Sequence, residues 1–186
     1  GGILNTVRNT RHATQADLIR QARARLNIML RHGTTTSEIK TGYGLNTDTE
    51  AKMLSAIIAL DQIHPMKIIP TFLGAHAIPP EFKTAKKYAD YLIEETFPAI
   101  YGVYNDSHYD HPLAMDVFCE QGVFDLETTQ HLLTVAKEQY GMTLKIHADE
   151  FVNLGAVPMA ISLGAYSVDH LDMTPEAELK QLAKSD

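Results

Sequence analysis

The sequence predicts an α/β fold that forms part of a (β/α)8 barrel of the TIM type. Five short β-branched or apolar runs alternate with longer stretches of helical periodicity, which is the pattern of parallel βαβ units. Polar and ionisable residues follow nearly every run, namely Lys40 with Tyr43, His76, Glu120, His147 with Glu150, and Asp169 with His170. A barrel gathers all its strand ends at one face, whereas a doubly wound sheet uses mainly the strands beside one switch point. The spread over five strands therefore favours the barrel.

The alternation also places the individual elements along the chain. Strands are predicted over residues 34–40, 67–73, 114–119, 143–147 and 166–170. Apolar residues at helical spacing predict helices over residues 13–30, 48–63, 83–100, 125–140, 152–163 and 175–184. Asp17 adds negative charge to the first turn of the first helix. Asp125 and Gly141 bound the fourth helix as cap residues. Gly164 ends the fifth helix, and Thr174 is expected to cap the sixth.

The composition is that of an ordinary globular protein without a basic surface. The chain has 186 residues, of which 45% are hydrophobic and 21% charged, and its formal net charge is −7. The lack of a basic stripe argues against nucleic acid and anionic membranes as partners. The single cysteine, Cys119, excludes an internal disulfide and fits a reducing cytoplasm. The chain starts without methionine, and five βα units are too few to close a barrel, so we expect it to be a piece of a longer protein.

His147 and Glu150 are the sharpest chemical signal. A histidine at a strand end can offer a neutral ring nitrogen to a metal ion. A glutamate three residues later can hydrogen-bond water at that ion and shuttle its proton. His170, which follows the next strand, would lie at the same end of the barrel. There it could be a metal ligand, an electrophile or a proton donor. Each of these residues, taken alone, is also typical of an ordinary loop or of a histidine bonded to a backbone carbonyl.

Two further loops carry residues suited to a planar ligand. Tyr43 lies between two glycines, and a phenol held in this way can stack on a ligand or donate to it. His76 follows Gly74, which leaves room for a ligand beside the backbone. Ordinary glycine-rich loops remain the alternative for both. Cys119 ends an apolar strand, so we interpret its thiol as buried and inert.

Taken together, these motifs resemble the imidazolonepropionase family of the amidohydrolase superfamily. The matching stretches follow the family's order and cover most of the chain: residues 33–45, 71–80, 116–122, 147–155 and 168–171. The sequence His147-Ala148-Asp149-Glu150 by itself is also similar to related deaminases. The combination of all the stretches is what makes the resemblance specific.

The resemblance implies a metal-dependent hydrolase of the (β/α)8 barrel type with one metal ion, zinc or iron. His147 matches the family's fifth-strand metal ligand, Glu150 its water-activating glutamate and His170 its sixth-strand catalytic histidine. Tyr43, His76 and Glu150 match substrate-binding positions. No His-x-His pair of the first strand is present in the sequence. Residues 1–186 are therefore expected to be strands two to six of a single catalytic barrel domain, with the first strand, the last two strands and a small flanking β domain outside them.

The implied reaction is hydrolysis of 4-imidazolone-5-propanoate to N-formimidoyl-L-glutamate, a step of histidine breakdown. Partners would be this small-molecule substrate and a second copy of the chain in a homodimer. One alternative is a related metal-dependent aminohydrolase acting on cytosine or guanine. Another is a non-catalytic barrel segment. With only His147 matching a metal ligand, residues 1–186 alone are expected to be inactive.

Overall fold

A computed structural model describes residues 2–185 and contains a sheet of parallel strands. The strands are β1 (Thr36–Lys40), β2 (Lys67–Ala75), β3 (Ala114–Cys119), β4 (Thr143–Ala148) and β5 (Ser167–His170). They lie in the sheet in the order of the chain, and each pairs in parallel with the next. A doubly wound sheet would reverse its strand order at a switch point, and no reversal occurs among these strands. The five strands form a half-barrel, which confirms the predicted fold class.

Helices connect the strands on one side of the sheet. Their bounds are α1 (Ile3–His12), α2 (Gln15–Arg31), α3 (Thr47–Ile63), α4 (Ala85–Tyr91), α5 (Phe97–Asp106), α6 (Leu126–Tyr140), α7 (Ala156–Leu163) and α8 (Glu176–Leu182). Helix α1 was not predicted from the sequence. The helix predicted over residues 83–100 is interrupted by a π-helix, Leu92–Thr96, and continues as α5. The structure contains no helix within residues 2–185 that is long and apolar enough to cross a membrane.

Several helix ends follow directly from side-chain caps. Thr14 and Asp17 form a reciprocal capping box at the start of α2. Asp125 accepts a backbone hydrogen bond at the start of α6, and Gly141 ends that helix in the left-handed region, as the sequence predicted. The predicted cap Thr174 is wrong for α8. Its hydroxyl donates instead to the carboxylate of Asp149, at 2.6 Å.

The π-helix aligns two side chains that an ordinary helix would separate. Tyr91 and Thr96 are five residues apart, which is the spacing of one π-turn. The hydroxyl of Tyr91 lies 2.8 Å from the hydroxyl of Thr47, and that of Thr96 lies 2.9 Å from the same atom. The interruption therefore ties the α4–α5 connection to the first residue of α3, directly after the loop that follows β1.

The two faces of the sheet differ sharply in polarity. Residues that face the helices, such as Met115, Val117, Leu144 and Ile146, belong to the apolar core and are at most 2% exposed. Alternate positions on the same strands carry charged or titratable groups on the opposite face, the interior of the half-barrel: Glu38, Lys40, Asp116, Lys145, His147 and Asp169. Because side chains alternate along a strand, one period-two pattern builds both the core and the polar interior.

Gly42 and Gly102 provide a matched pair of glycine substitutions. Gly42 has φ of +95°, and a Cβ there would lie 2.5 Å from the carbonyl oxygen of Leu73, whereas a Cβ on Gly102 in α5 would meet nothing within 4 Å. We expect Gly42→Ala to lower the free energy of unfolding by about 2 kcal/mol or more. Gly102→Ala should raise it by about 0.5–1 kcal/mol. Urea unfolding of both variants checks this, and equal effects would contradict the described loop geometry.

Candidate active site

The predicted site residues lie at the carboxyl ends of successive strands. Ring centroids of Tyr43 and His76 are 5.1 Å apart, and those of His76 and Phe118 are 6.3 Å apart. The row continues from Phe118 to His147 at 6.4 Å and from His147 to His170 at 5.3 Å. It therefore extends from the loop after β1 to the end of β5. Tyr43 and His170 are thus the two ends of a contiguous row of aromatic and imidazole rings along one edge of the sheet.

Glu150 joins this row through His170. Its carboxylate oxygen Oε2 lies 3.5 Å from Nε2 of His170, and both side chains are partly exposed. The backbone around the pair is strained, because Asp149, His170 and Leu171 have φ of +57°, +78° and +67°. Residues other than glycine adopt this region at a cost that the surrounding structure must offset, and such residues cluster at functional sites. The two titratable side chains, Glu150 and His170, are thus carried by or next to strained backbone.

The ring of His147 is oriented by a buried carboxylate. Its Nδ1 lies 2.9–3.0 Å from the oxygens of Asp116, whose side chain is fully buried. A carboxylate opposite Nδ1 favours the tautomer that carries its proton there, which leaves the lone pair on Nε2. Within residues 2–185, Nε2 has no hydrogen-bond partner. Asp116 was not predicted as a site residue, although an aspartate inside an otherwise apolar strand indicates a special role.

Lys40 places a positive charge among these carboxylates. Its Nζ lies 2.8 Å from an oxygen of Asp116 and 2.8 Å from one of Asp169. Burial alone would lower the pKa of Lys40, but its hydrogen bonds to Asp116 and Asp169 and the charges of Asp116 and Glu38 raise that pKa above the ordinary value. Burial likewise opposes ionisation of Asp169, and the hydrogen bond from Lys40 overcomes it, so the pKa of Asp169 is lowered. Lys40 and Asp169 are therefore both charged at neutral pH.

Three of these residues form a set of donors suited to a metal ion. Asp116, His147 and Asp169 each offer one ligand atom, and the three atoms lie within 4.8 Å of one another. Imidazole and carboxylate donors suit zinc and iron. The ammonium of Lys40 is already bonded to both carboxylates. Within this set of three, as residues 2–185 show it, Nε2 of His147 is a ligand atom without a hydrogen bond, so the residues fit an ion held at that nitrogen with Asp116 as its orienting partner.

A second buried carboxylate holds the loop that carries Tyr43. Glu50 is fully buried and accepts hydrogen bonds from the backbone nitrogens of Gly42, Gly44 and Leu45, at 2.7–2.9 Å for its closest contacts. No local sequence signal indicates this role, because Glu50 lies in the first turn of α3, where a carboxylate is common in any helix. Fixing the loop fixes where the phenol of Tyr43 stands.

The imidazole of His76 lies partly buried beside the loop that carries Tyr43. Its Nδ1 lies 3.2 Å from the carbonyl oxygen of Gly42. Burial lowers the pKa of His76, and the opposing hydrogen bond to Gly42 does not restore it.

Cys119 at the end of β3 is fully buried, and burial raises the pKa of its thiol to about 11. This agrees with its interpretation as inert.

Known proteins align with this chain along its full length. No protein-family profile matches it. The imidazolonepropionase of Herpetosiphon aurantiacus is 48% identical, that of Chloroflexus aggregans 47% and that of Shewanella frigidimarina 45%. Each alignment covers 100% of this chain and 44% of the relative. The chain therefore spans less than half the length of the curated relatives that it matches. Over its own full length it is related to the imidazolonepropionases.

Proposed function

We propose that this chain is the central part of the catalytic barrel domain of an imidazolonepropionase. The complete protein would hydrolyse 4-imidazolone-5-propanoate to N-formimidoyl-L-glutamate in histidine degradation. The observation that carries the proposal is the 48% identity to the Herpetosiphon relative over the whole chain, which includes every strand end of the candidate site. Strands β1–β5 would be strands two to six of the barrel, and the first strand, the last two strands and a small β domain would lie outside residues 1–186.

The metal would be one zinc or iron ion with His147 as a ligand through Nε2. The support is the hydrogen bond from Nδ1 to the buried Asp116, since metal-binding histidines are commonly oriented by a carboxylate on the other nitrogen. Lys40 forms ion pairs with both Asp116 and Asp169 beside that position. A bound ion of this kind supplies Lewis acidity, which lowers the pKa of water at the site.

Glu150 would be the general base. It accepts a proton from the attacking water, whose oxygen bonds to the ring carbonyl carbon. The carbon–nitrogen bond of the ring then breaks, and the proton moves from Glu150 to the leaving nitrogen, so that a carboxylic acid and an open chain result. His170 lies 3.5 Å from Glu150, within reach for its ring to hold that carboxylate or exchange a proton with it.

Tyr43 and His76 would bind the flat ring of the substrate. Their rings meet edge to face, with an interplanar angle of 83°, so they form a corner into which a planar heterocycle can fit. The lowered pKa of His76 keeps its imidazole neutral near pH 7, which leaves both a donor and an acceptor on the ring. Glu150 would also contact the substrate as a substrate-binding carboxylate.

The setting expected for this activity is the cytoplasm, with a small-molecule substrate and no nucleic acid or membrane as partner. The net charge of −7 supports that choice of partner, because neither phosphate backbones nor anionic lipids attract an acidic protein. We propose a homodimer as the assembly, which sedimentation of the complete protein would test.

Glu150→Gln tests the base assignment in the complete protein. The amide keeps the shape of the side chain and cannot accept the proton, so kcat for ring opening should fall by about 10²- to 10⁴-fold. Metal content should stay at about one ion per chain, since Glu150 is not the proposed ligand. The matched control is Glu138→Gln on the exposed face of α6, which should leave kcat unchanged. Near-normal turnover of Glu150→Gln, followed by loss of substrate absorbance, would refute the assignment.

Asp116→Asn tests how the ring of His147 is oriented. Without the carboxylate, the ring loses the partner that fixes its tautomer, and metal affinity should fall by about 10- to 100-fold. Competition with a chelator, followed by elemental analysis, measures this on the folded protein. Asp110→Asn, in an exposed loop, is the control with the same change of charge. Unchanged metal affinity in Asp116→Asn would show that Asp116 does not act on the metal site.

A further inference from the structure

Glu120 is a buried carboxylate whose hydrogen bonds all go to backbone nitrogens. It directly follows β3 and is 3% exposed, and its own loop is closed by two backbone bonds: its N–H donates to the carbonyl of Phe124, and its carbonyl accepts from the N–H of Val123. Its Oε1 accepts from the backbone nitrogen of Gln121 at 2.8 Å. Its Oε2 accepts from the nitrogen of Phe151 at 2.9 Å and from that of Val152 at 3.4 Å. The side chain therefore reaches from the end of β3 into the loop that follows β4.

The two residues that Glu120 captures come directly after Glu150. Their own side chains do not anchor the loop, because Phe151 is 65% exposed and Val152 is 36% exposed. The segment also does not belong to α7, which begins only at Ala156. The backbone bonds to Glu120 therefore hold Phe151 and Val152 themselves. The next anchor along the chain is Asn153, whose side-chain amide donates to Asp149 and Glu178.

The residue before Glu150 is held independently. Asp149 is fully buried, and its carboxylate accepts from the hydroxyl of Thr174 and from the amide of Asn153, while its carbonyl accepts from the nitrogen of Met173. Glu150 itself has His170, at 3.5 Å, as its only close polar side-chain partner among the described residues. Its position is thus set mainly by the backbone on either side, which Asp149 fixes from one end and Glu120 from the other.

We infer that Glu120 is a positioning residue for Glu150, acting by binding the backbone amides of Phe151 and Val152. The inference rests on the proposed function for its kinetic consequence, whereas the loop contact stands on geometry alone. A misplacement of about 1 Å at a reacting group can cost roughly 10²-fold in rate. Loss of the anchor should therefore lower kcat while leaving substrate contacts at Tyr43 and the ligand His147 in place.

The test compares Glu120→Ala and Glu120→Gln with Glu127→Gln in the complete protein. Glu127 lies exposed in the first turn of α6, on the same βα unit, and makes no hydrogen bond through its side chain within residues 2–185. Glu120→Ala should lower kcat per bound metal by roughly 10²-fold, with KM changed by less than about threefold. Glu120→Gln, which keeps one acceptor oxygen, should recover part of that loss. Glu127→Gln should match the unsubstituted protein.

Two readouts separate positioning from a general loss of stability. In a Glu150→Gln background, Glu120→Gln should change kcat by less than about threefold, because a residue acting only through Glu150 has nothing left to position. Hydrogen exchange over residues 149–153 should be at least about tenfold faster in Glu120→Ala, with the β3 and β4 segments unchanged. Fully additive losses of kcat, or unchanged exchange at residues 149–153, would overturn the inference.

The same data keep this inference apart from the proposed reaction. If the unsubstituted protein opened no imidazolone ring but Glu120→Ala exposed residues 149–153, the proposed function would fail and the loop anchor would stand. If ring opening were normal in both the unsubstituted protein and Glu120→Ala, the reaction would stand and the positioning role would fall.

Discussion

The hydrogen bonds of one buried carboxylate, Asp116, connect three strands and the candidate site. It lies on β3, binds Lys40 of β1 and orients His147 of β4. Lys40 extends the connection to Asp169 of β5. A buried carboxylate without partners would cost several kcal/mol, so the strands can pair in register only if these charges meet. The interior of the half-barrel is thus specified by charge pairing, while the helix-facing side is specified by apolar packing.

Further buried carboxylates hold the loops that surround the candidate site. Glu50 holds the loop of Tyr43, Glu120 the loop of Glu150, and Asp149 the connection after β5. Each accepts hydrogen bonds from backbone or side-chain donors that would otherwise lack a partner inside the protein. Positive φ at Asp149 and at His170 is tolerated because such bonds hold the backbone on both sides. The functional groups therefore stand on loops that are locked by groups which perform no chemistry themselves.

The sequence was sufficient for the features that depend on local pattern. Strand runs, their alternation with helices and the titratable groups at strand ends all follow from short-range periodicity, and parallel pairing then gathers His76, His147 and His170. The partnership of Lys40 with Asp116 spans 76 positions and leaves no local trace. The helix predicted to begin at residue 152 begins at Ala156, because Gly155 directly before it lies in the left-handed region, with φ of +77°. The alternation of residues along a strand predicts which side chains face the interior, but not which of them form hydrogen bonds with one another.

The π-helix in the α4–α5 connection has a consequence for sequence length. One π-turn holds one residue more than the α-helical turn it replaces, so Leu92–Thr96 amounts to a single-residue insertion inside an otherwise continuous helix. The π-turn absorbs this residue, so Tyr88 and Leu92 on one side and Phe97 and Ile100 on the other all remain completely buried. Deleting one residue there would restore an ordinary α-helical turn and leave both halves facing the core, but it would remove the spacing at which Tyr91 and Thr96 both reach the hydroxyl of Thr47. Homologues with and without this residue can therefore share one core and differ in whether the start of α3 is tied to the α4–α5 connection.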